Sequence, residues 1–334
     1  MTWLNFDLGD PDTGRRLQDA GLEIKLAPKV GARTAEEVAE LMSNAVAAIV
    51  STDPFDASVF DAAHRLRAIA RVGVGTDSID LDAATRAGVA VTTTPGTNHQ
   101  TTADHAVAMI LAALRRVVEN DASVRRGEWN RAGDLTPWDL HGRTVGLVGF
   151  GEIGRAVARR LNGFGTSILV TDPACSSADG FRLIGLEELL GRADVLSLHV
   201  PLVESTKGMI GARELALLGS EGILVNTARG GLVDEEALTA ALKGGGLRAA
   251  ALDVFEDEPP RSTSLLALPN VVLSPHIGGL SDGSIMAMTR HATQSVLDVL
   301  AGRIPGHVVN PAALGRDASL SSPGDVPEAT RSAS

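Results

Sequence analysis

"VGLVGFGEIGRAVARRL", residues 145–161, sets an apolar run before three spaced glycines and follows them with a helical pattern. The glycines fall at Gly149, Gly151 and Gly154. That GxGxxG spacing is weak alone and gains meaning where a strand precedes it and a helix follows, as here. Gly149 permits a tight turn, Gly151 lets a pyrophosphate approach the backbone, and Gly154 lets the helix lie close on the strand. The helix start, with Glu152 and Ile153, then offers unsatisfied N–H groups and a positive dipole end to phosphates. The next apolar run, "SILVTD" (167–172), ends at Asp172, 18 residues past Gly154. An acid there accepts hydrogen bonds from ribose hydroxyls and repels a 2′-phosphate, which favours NAD over NADP.

Working outward, short apolar runs continue at 194–200, 222–228, 247–255 and 270–275, with helical patterns between them. A first series lies upstream at 44–50 and 66–74. Near it, "TAEEVAELMSNA" (34–45) opens with Thr34 and carries Glu37 three residues on, the signature of a capping box. Strands alternating with helices predict an α/β chain with two parallel-sheet domains, Rossmann-like or flavodoxin-like. "TTADHAVAMILAALRRVVEND" (101–121) reads as one long helix bridging them, and 284–300 as a helix returning to the first. The expected division is a discontinuous substrate-binding domain (1–98 and 288–314), a dinucleotide-binding domain (99–287) and a polar, disordered tail (315–334).

Composition narrows the function. The 334 residues carry 44% apolar side chains and a net charge of −11, which argues against nucleic acid as a main partner. No apolar run is long enough for a membrane span, and no signal peptide is evident. One cysteine, Cys175, rules out an intrachain disulfide and suits a reducing cytoplasm. No His/Cys/Asp cluster has metal-ligand spacing, so no metal is expected.

Three later strands each end near a polar residue of a different kind. Arg229 follows "ILVNTA", Glu258 lies in the loop after "ALDVF", and His276 stands in "LSPHIGG". Ligands of open α/β sheets bind at the carboxyl ends of the strands, so these three should gather there. Arg229 offers a planar fork to a carboxylate or carbonyl oxygen. His276 gives a proton to an oxygen as hydride reaches carbon, and Glu258 orients its ring and favours the protonated form.

The motifs "GVGTDSIDLDAATRAGVAVTTTPGTNHQTTADHA" (73–106), "HVPLVESTKGMI" (199–210), "NTARGGLVDEEAL", "ALDVFEDEP" and "SPHIGG", with the glycine stretch, make the chain similar to the NAD-dependent D-2-hydroxyacid dehydrogenases. The resemblance covers about residues 45–312 and leans toward the phosphoglycerate dehydrogenase-like branch. It implies interconversion of a D-2-hydroxy acid and its 2-oxo acid, with Arg229 binding substrate, His276 as acid/base and Glu258 as its partner. It implies backbone N–H groups at Val74 and Gly75 for the substrate carboxylate, with Asn98 and Ser51 beside the pocket. It also implies Thr102, His199, Thr227, Ala228 and Asp253 near the NAD, and a homodimer joined through the nucleotide domains, with Trp129 and Trp138 in the dimer arm.

Two departures stand out. Asp104 replaces the glutamate common in "AEH", for which a structural or interface effect is expected. The 49–56 loop, "IVSTDPFD", carries Asp53 where phosphoglycerate-type members tend to place arginines, which speaks against a phosphorylated substrate. Two alternatives are a same-scaffold phosphite or formate dehydrogenase, and a non-catalytic NAD(H)-sensing protein. The first usually has a lysine in the "VGVG" region, where this chain has only the preceding Arg71.

Overall fold

Val, Ile, Leu and Ala runs of three to five residues, bounded by glycines and polar turns, form most of the ten strands among the described residues. The computed structural model describes residues 6, 10–28, 31–129, 131–133, 136–178, 180–261 and 263–315. The expected tail, from 316 on, lies outside them. In chain order the first part contains α1 (Pro11–Asp19), α2 (Ala35–Met42), β1 (Ala47–Val50), α3 (Ala57–Ala62), β2 (Ala68–Arg71), α4 (Leu81–Arg86) and β3 (Ala90–Thr92). Two helices follow, α5 (His99–Arg115) and α6 (Val117–Arg125). Next come β4 (Thr144–Val148), α7 (Glu152–Asn162), β5 (Ser167–Thr171), β6 (Arg182–Leu183), α8 (Leu186–Leu190) and β7 (Val195–Leu198). The chain continues with α9 (Ala212–Leu218), β8 (Ile223–Asn226), α10 (Glu235–Lys243), β9 (Ala249–Leu252), α11 (Thr263–Leu266), β10 (Val271–Leu273) and α12 (Asp282–Leu300).

The second sheet has the order β10-β9-β8-β7-β4-β5-β6, with every pairing parallel. This is the doubly wound order, extended by a seventh strand, and its direction reverses between β4 and β7. The four residues of each of β7, β8 and β9 are buried, as strands covered on both faces require. One face packs on α5 and α7 through Ala103, Ile110, Val157 and Leu161. The other packs on α8, α9 and α10 through Leu189, Leu215 and Leu238.

The first sheet, β1-β2-β3, is parallel and three-stranded among the described residues. Val38, Met42, Phe55 and Val59 cover one face, and Met288, Ala292 and Val296 of α12 cover the other. Helix α12 thus carries the chain back to the first sheet. It begins at Asp282, so the expected change of domain at 288 falls inside it. The capping box of α2 is present: the Glu37 N–H donates to Thr34 Oγ1, and the Thr34 N–H to Glu37 Oε2.

Two details differ from the sequence expectation. The helix expected over 101–121 breaks at Arg116, whose φ of 50° is left-handed, so α5 and α6 are separate. No glycine or proline marks the break, and the apolar pattern runs on through it. The short strands β3 and β6 were not expected; β6 has only two residues, both exposed. Among the described residues no helix is long and apolar enough to cross a membrane.

Candidate active site

Parallel pairing in register brings the ends of β8, β9 and β10 side by side: Asn226 pairs with Leu252 and Leu252 with Leu273. His276 follows β10 in a turn with φ 53°. Its Nδ1 lies 2.7 Å from Glu258 Oε2. Glu258 is fixed in turn by the Phe255 N–H, which donates to Oε1 at 3.2 Å. Nδ1 therefore carries its proton toward the carboxylate, and Nε2 is the nitrogen left to exchange one with a ligand. The next turn is locked to this one: a Cβ on Gly230 would lie 1.8 Å from the Phe255 carbonyl carbon. Arg229 immediately precedes that contact. Asn226 holds its turn, donating from Nδ2 to the Arg229 carbonyl and accepting the Ala228 N–H.

Arg229 reaches across to the loop after β2. Its Nε–H donates to Asp77 Oδ2 at 2.9 Å and its Nη1–H to the Ala228 carbonyl at 2.7 Å. Nη2 lies over the Cα of Gly75, where a Cβ would come within 1.7 Å of it. A second guanidinium belongs to Arg71, at the end of β2. It lies over Gly73 in the same way and donates to the Val72 carbonyl at 2.8 Å. Its buried Nε has no partner among the described residues. Burial first, and the Arg229 charge second, pull Arg71 down to about 10, while Asp77 pulls the other way. Arg71 is still a cation at neutral pH. Two cations and one carboxylate leave this corner with one net positive charge. Val74, 56% exposed, presents backbone beside it. Ser51 stands at the end of β1, one strand from Arg71, in the register that pairs Val50 with Arg71.

At the reversal between β4 and β7, Gly149 adopts φ 97°, and a Cβ there would lie 2.5 Å from the His199 carbonyl oxygen. Gly154 similarly touches the Gly149 carbonyl. Gly151 caps α7, and a Cβ there would meet nothing within 4 Å, so the space before Glu152 and Ile153 is open. Asp172 accepts the Phe150 N–H at 2.7 Å and the Ala174 N–H at 2.9 Å. His199 lies 3.0 Å from Ser197 Oγ through Nε2, and burial pulls its ring down to about 4, so it is neutral at neutral pH.

Residues 107–278 match the family model described as D-isomer specific 2-hydroxyacid dehydrogenase, NAD binding domain. The chain is 46% identical over 267 residues to a glyoxylate reductase of Korarchaeum cryptofilum, covering 78% of this chain and 80% of that one. This chain belongs to the D-2-hydroxyacid dehydrogenases. It is also 38% identical over 305 residues to a D-3-phosphoglycerate dehydrogenase of Methanocaldococcus jannaschii, covering 90% of this chain and 57% of that one. Among solved structures, the TT0316 protein of Thermus thermophilus superposes with a TM-score of 0.84 at 39% identity, covering 92% of this chain and all of that one.

The dehydrogenase's own residues fit an NAD. The open space at Gly151 faces the start of α7, and Thr227, at the end of β8 beside Ala228, has a buried Oγ1 with no partner among the described residues. Each Asp172 oxygen keeps acceptor capacity beyond its one backbone donor. Thr102 donates to the Asn98 carbonyl at 3.0 Å, and the Asn98 amide lies against Gly279 of the His276 turn. Asp253, expected beside the cofactor, stands one residue past β9. Only 1% exposed, its carboxylate turns into the protein and takes the Ser274 hydroxyl and the Ile277 and Gly278 N–H groups.

The two departures also resolve. Asp104 takes Arg160 Nε–H at 2.6 Å, and Arg160 also donates to the Gln100 and Ala156 carbonyls, tying α5 to α7. Asp53 is ion-paired with Arg33, which also donates to the Ala27 carbonyl. Its charge is therefore neutralised, and it does not itself repel a phosphate as the sequence led us to expect. Among the described residues no group of three or more His, Cys, Asp or Glu could hold a metal ion. Arg71, Asp77, His105 and Ser274 were not identified as site residues from the sequence.

Proposed function

We propose that this dehydrogenase reduces a short, unphosphorylated 2-oxo acid of the glyoxylate type, with NAD(H) as its dinucleotide. The observation that carries this is the charge count at residues 71–77. Arg71, Arg229 and Asp77 leave one positive charge, which one carboxylate neutralises. Arg33, the cation brought to the 49–56 loop, is already committed to Asp53. That loop therefore offers a phosphate no free cation among the described residues. Similarity to glyoxylate reductases supports the same reading.

Arg229 binds the oxo acid through its outer edge and polarises the carbonyl oxygen. Backbone N–H groups at Val74 and Gly75 hold the carboxylate, with Asn98 and Ser51 at the pocket edge. His276 donates its Nε2 proton to the carbonyl oxygen as the alkoxide forms, and Glu258 stabilises the imidazolium through Nδ1. In the reverse direction His276 removes the hydroxyl proton. The bound dinucleotide supplies or accepts the hydride. Asp172 selects the free ribose of NAD, and the start of α7 receives the pyrophosphate. Residues 1–98 and 288–314 act as the substrate domain and 99–287 as the nucleotide domain. The enzyme works in the cytoplasm as a homodimer, a reading supported by the exposed Val117, Val118, Val124 and Trp129 along and after α6.

The test is NADH oxidation across glyoxylate, hydroxypyruvate, pyruvate, phosphonopyruvate and 3-phosphohydroxypyruvate. Glyoxylate or hydroxypyruvate should exceed the phosphorylated acid in kcat/KM by about a hundredfold, because two further negative charges find no partner. A preference for 3-phosphohydroxypyruvate would overturn the substrate reading. No turnover across the panel, with NADH bound, would overturn the enzymatic role.

A further inference from the structure

We infer that His105, on α5, is a positioning residue for the acid/base: with Ser274 and Asp253 it forms a buried brace holding the 276–278 turn in the backbone from which His276 meets Glu258. The inference rests on the proposed role of His276.

A left-handed φ of 53° is unfavourable for any side chain except glycine, so something must hold His276 there. Asp253 supplies the hold. Its carbonyl accepts the His276 N–H at 2.7 Å, Oδ1 the Ile277 N–H at 3.0 Å, and Oδ2 the Gly278 N–H at 2.7 Å. Three consecutive N–H groups of the turn thus end on one residue. A carboxylate this deeply buried is costly unless it is well paired. Ser274 Oγ–H donates to Oδ1 at 2.5 Å, and His105 Nε2 lies 3.3 Å from the same oxygen.

His105 Nε2 also lies 3.0 Å from Ser274 Oγ. The hydroxyl has one hydrogen, already given to Asp253. Both oxygens facing Nε2 are therefore acceptors, and Nε2 must carry a proton. Burial works against the Asp253 charge, but the bonds from His105, Ser274, Ile277 and Gly278 outweigh it and hold the carboxyl below the usual carboxylate range. The fit is tight: a Cβ on Gly278 would lie 2.8 Å from Asp253 Oδ2 and 3.2 Å from His105 Cδ2. Helix α5 also presents Asn98 at its start, against Gly279. One rigid helix therefore supports the His276 turn at two points. Positioning of this kind acts on catalysis because small displacements of a reacting group are expensive.

The experiment compares full-length wild type with His105→Leu, His105→Gln, Ser274→Ala and His276→Ala. Each is assayed for glyoxylate reduction against pH, for NADH affinity by fluorescence and for melting temperature. His105→Leu and Ser274→Ala should lower kcat by about 10- to 100-fold, with the NADH Kd within about twofold of wild type. The alkaline limb of the kcat profile should move to lower pH, because a looser Nδ1–Glu258 contact favours the imidazolium less. The other charges of the cleft, Arg229, Arg71 and Asp77, remain in every variant. His105→Gln keeps a donor near the Nε2 position and should restore most of kcat and the profile.

Unchanged kcat and pH profile in His105→Leu and Ser274→Ala, with His276→Ala impaired, would overturn the brace alone. So would a loss fully explained by NADH affinity or by the folded fraction. Unchanged turnover in His276→Ala would overturn the acid/base reading itself, and the brace with it.

Discussion

The two walls of the cleft hold their charged groups in opposite ways. At the ends of β8, β9 and β10, hydrogen bonds fix the turns that carry the charged groups. Glu258 has Phe255 behind it, His276 has Asp253 beneath its turn, and Asn226 holds the turn of Arg229. On the facing wall, residues 71–77, glycines do the placing. Gly73 and Gly75 leave room for two guanidinium groups, and one of them keeps a buried, unpartnered Nε. Proton transfer requires a ring in one orientation, which packing and hydrogen bonds provide. Recognition of a small anion requires positive charge and backbone close to it, which small residues permit. The first wall is built for direction and the second for field.

Three variants sharpen or break that contrast. His276→Ala removes the directed proton and should lower kcat by about 10²–10⁴-fold while NADH still binds. An unchanged rate would remove direction from the first wall. Next come the two arginines. Arg229→Ala should cost about 1.5–3 kcal/mol in kcat/KM for the oxo acid, as one charge-assisted contact is lost. Arg71→Met should raise KM for glyoxylate by about tenfold, leave kcat nearer wild type, and keep or raise the melting temperature, because a buried, partly unpaired cation is removed. A large fall in stability with KM unchanged would make Arg71 structural.

The smallest expected effect concerns pH. His199 is held down to about 4 by burial, below its unfolded value near 6.5. The unfolded chain then binds the extra proton first, so stability falls as pH drops from about 6.5 toward 4. Without bound NADH, His199→Gln should lose less melting temperature between pH 7.5 and 5 than wild type. Equal losses would show that the buried ring is not what titrates.

The same contrast explains what the sequence could convey. The glycine stretch and the strand-end residues Arg229, Glu258 and His276 stand next to the apolar runs that position them, so pattern and place coincide. Six strands of the second sheet were legible for that reason, and β6, two exposed residues with no apolar run, was not. Arg71 and Asp77 were not, because their meaning depends on Arg229, more than 150 residues away across the cleft. Asp53 misled for the same reason: its neutralising partner, Arg33, comes from a different loop. Arg116 gave no sign of breaking a helix, since a single left-handed residue leaves the apolar pattern intact on both sides. The brace on Asp253 was not legible either, because its carboxylate binds the turn after β10 and His105 of α5, which only the fold brings together.

A crystal structure with NADH and the unreactive analogue oxamate tests the central claim most directly. His276 Nε2 and an Arg229 Nη should both lie within hydrogen-bond distance of one oxygen of the analogue, with its carboxylate on the backbone of Val74 and Gly75. An analogue bound with the two side chains directed at separate sites would contradict it.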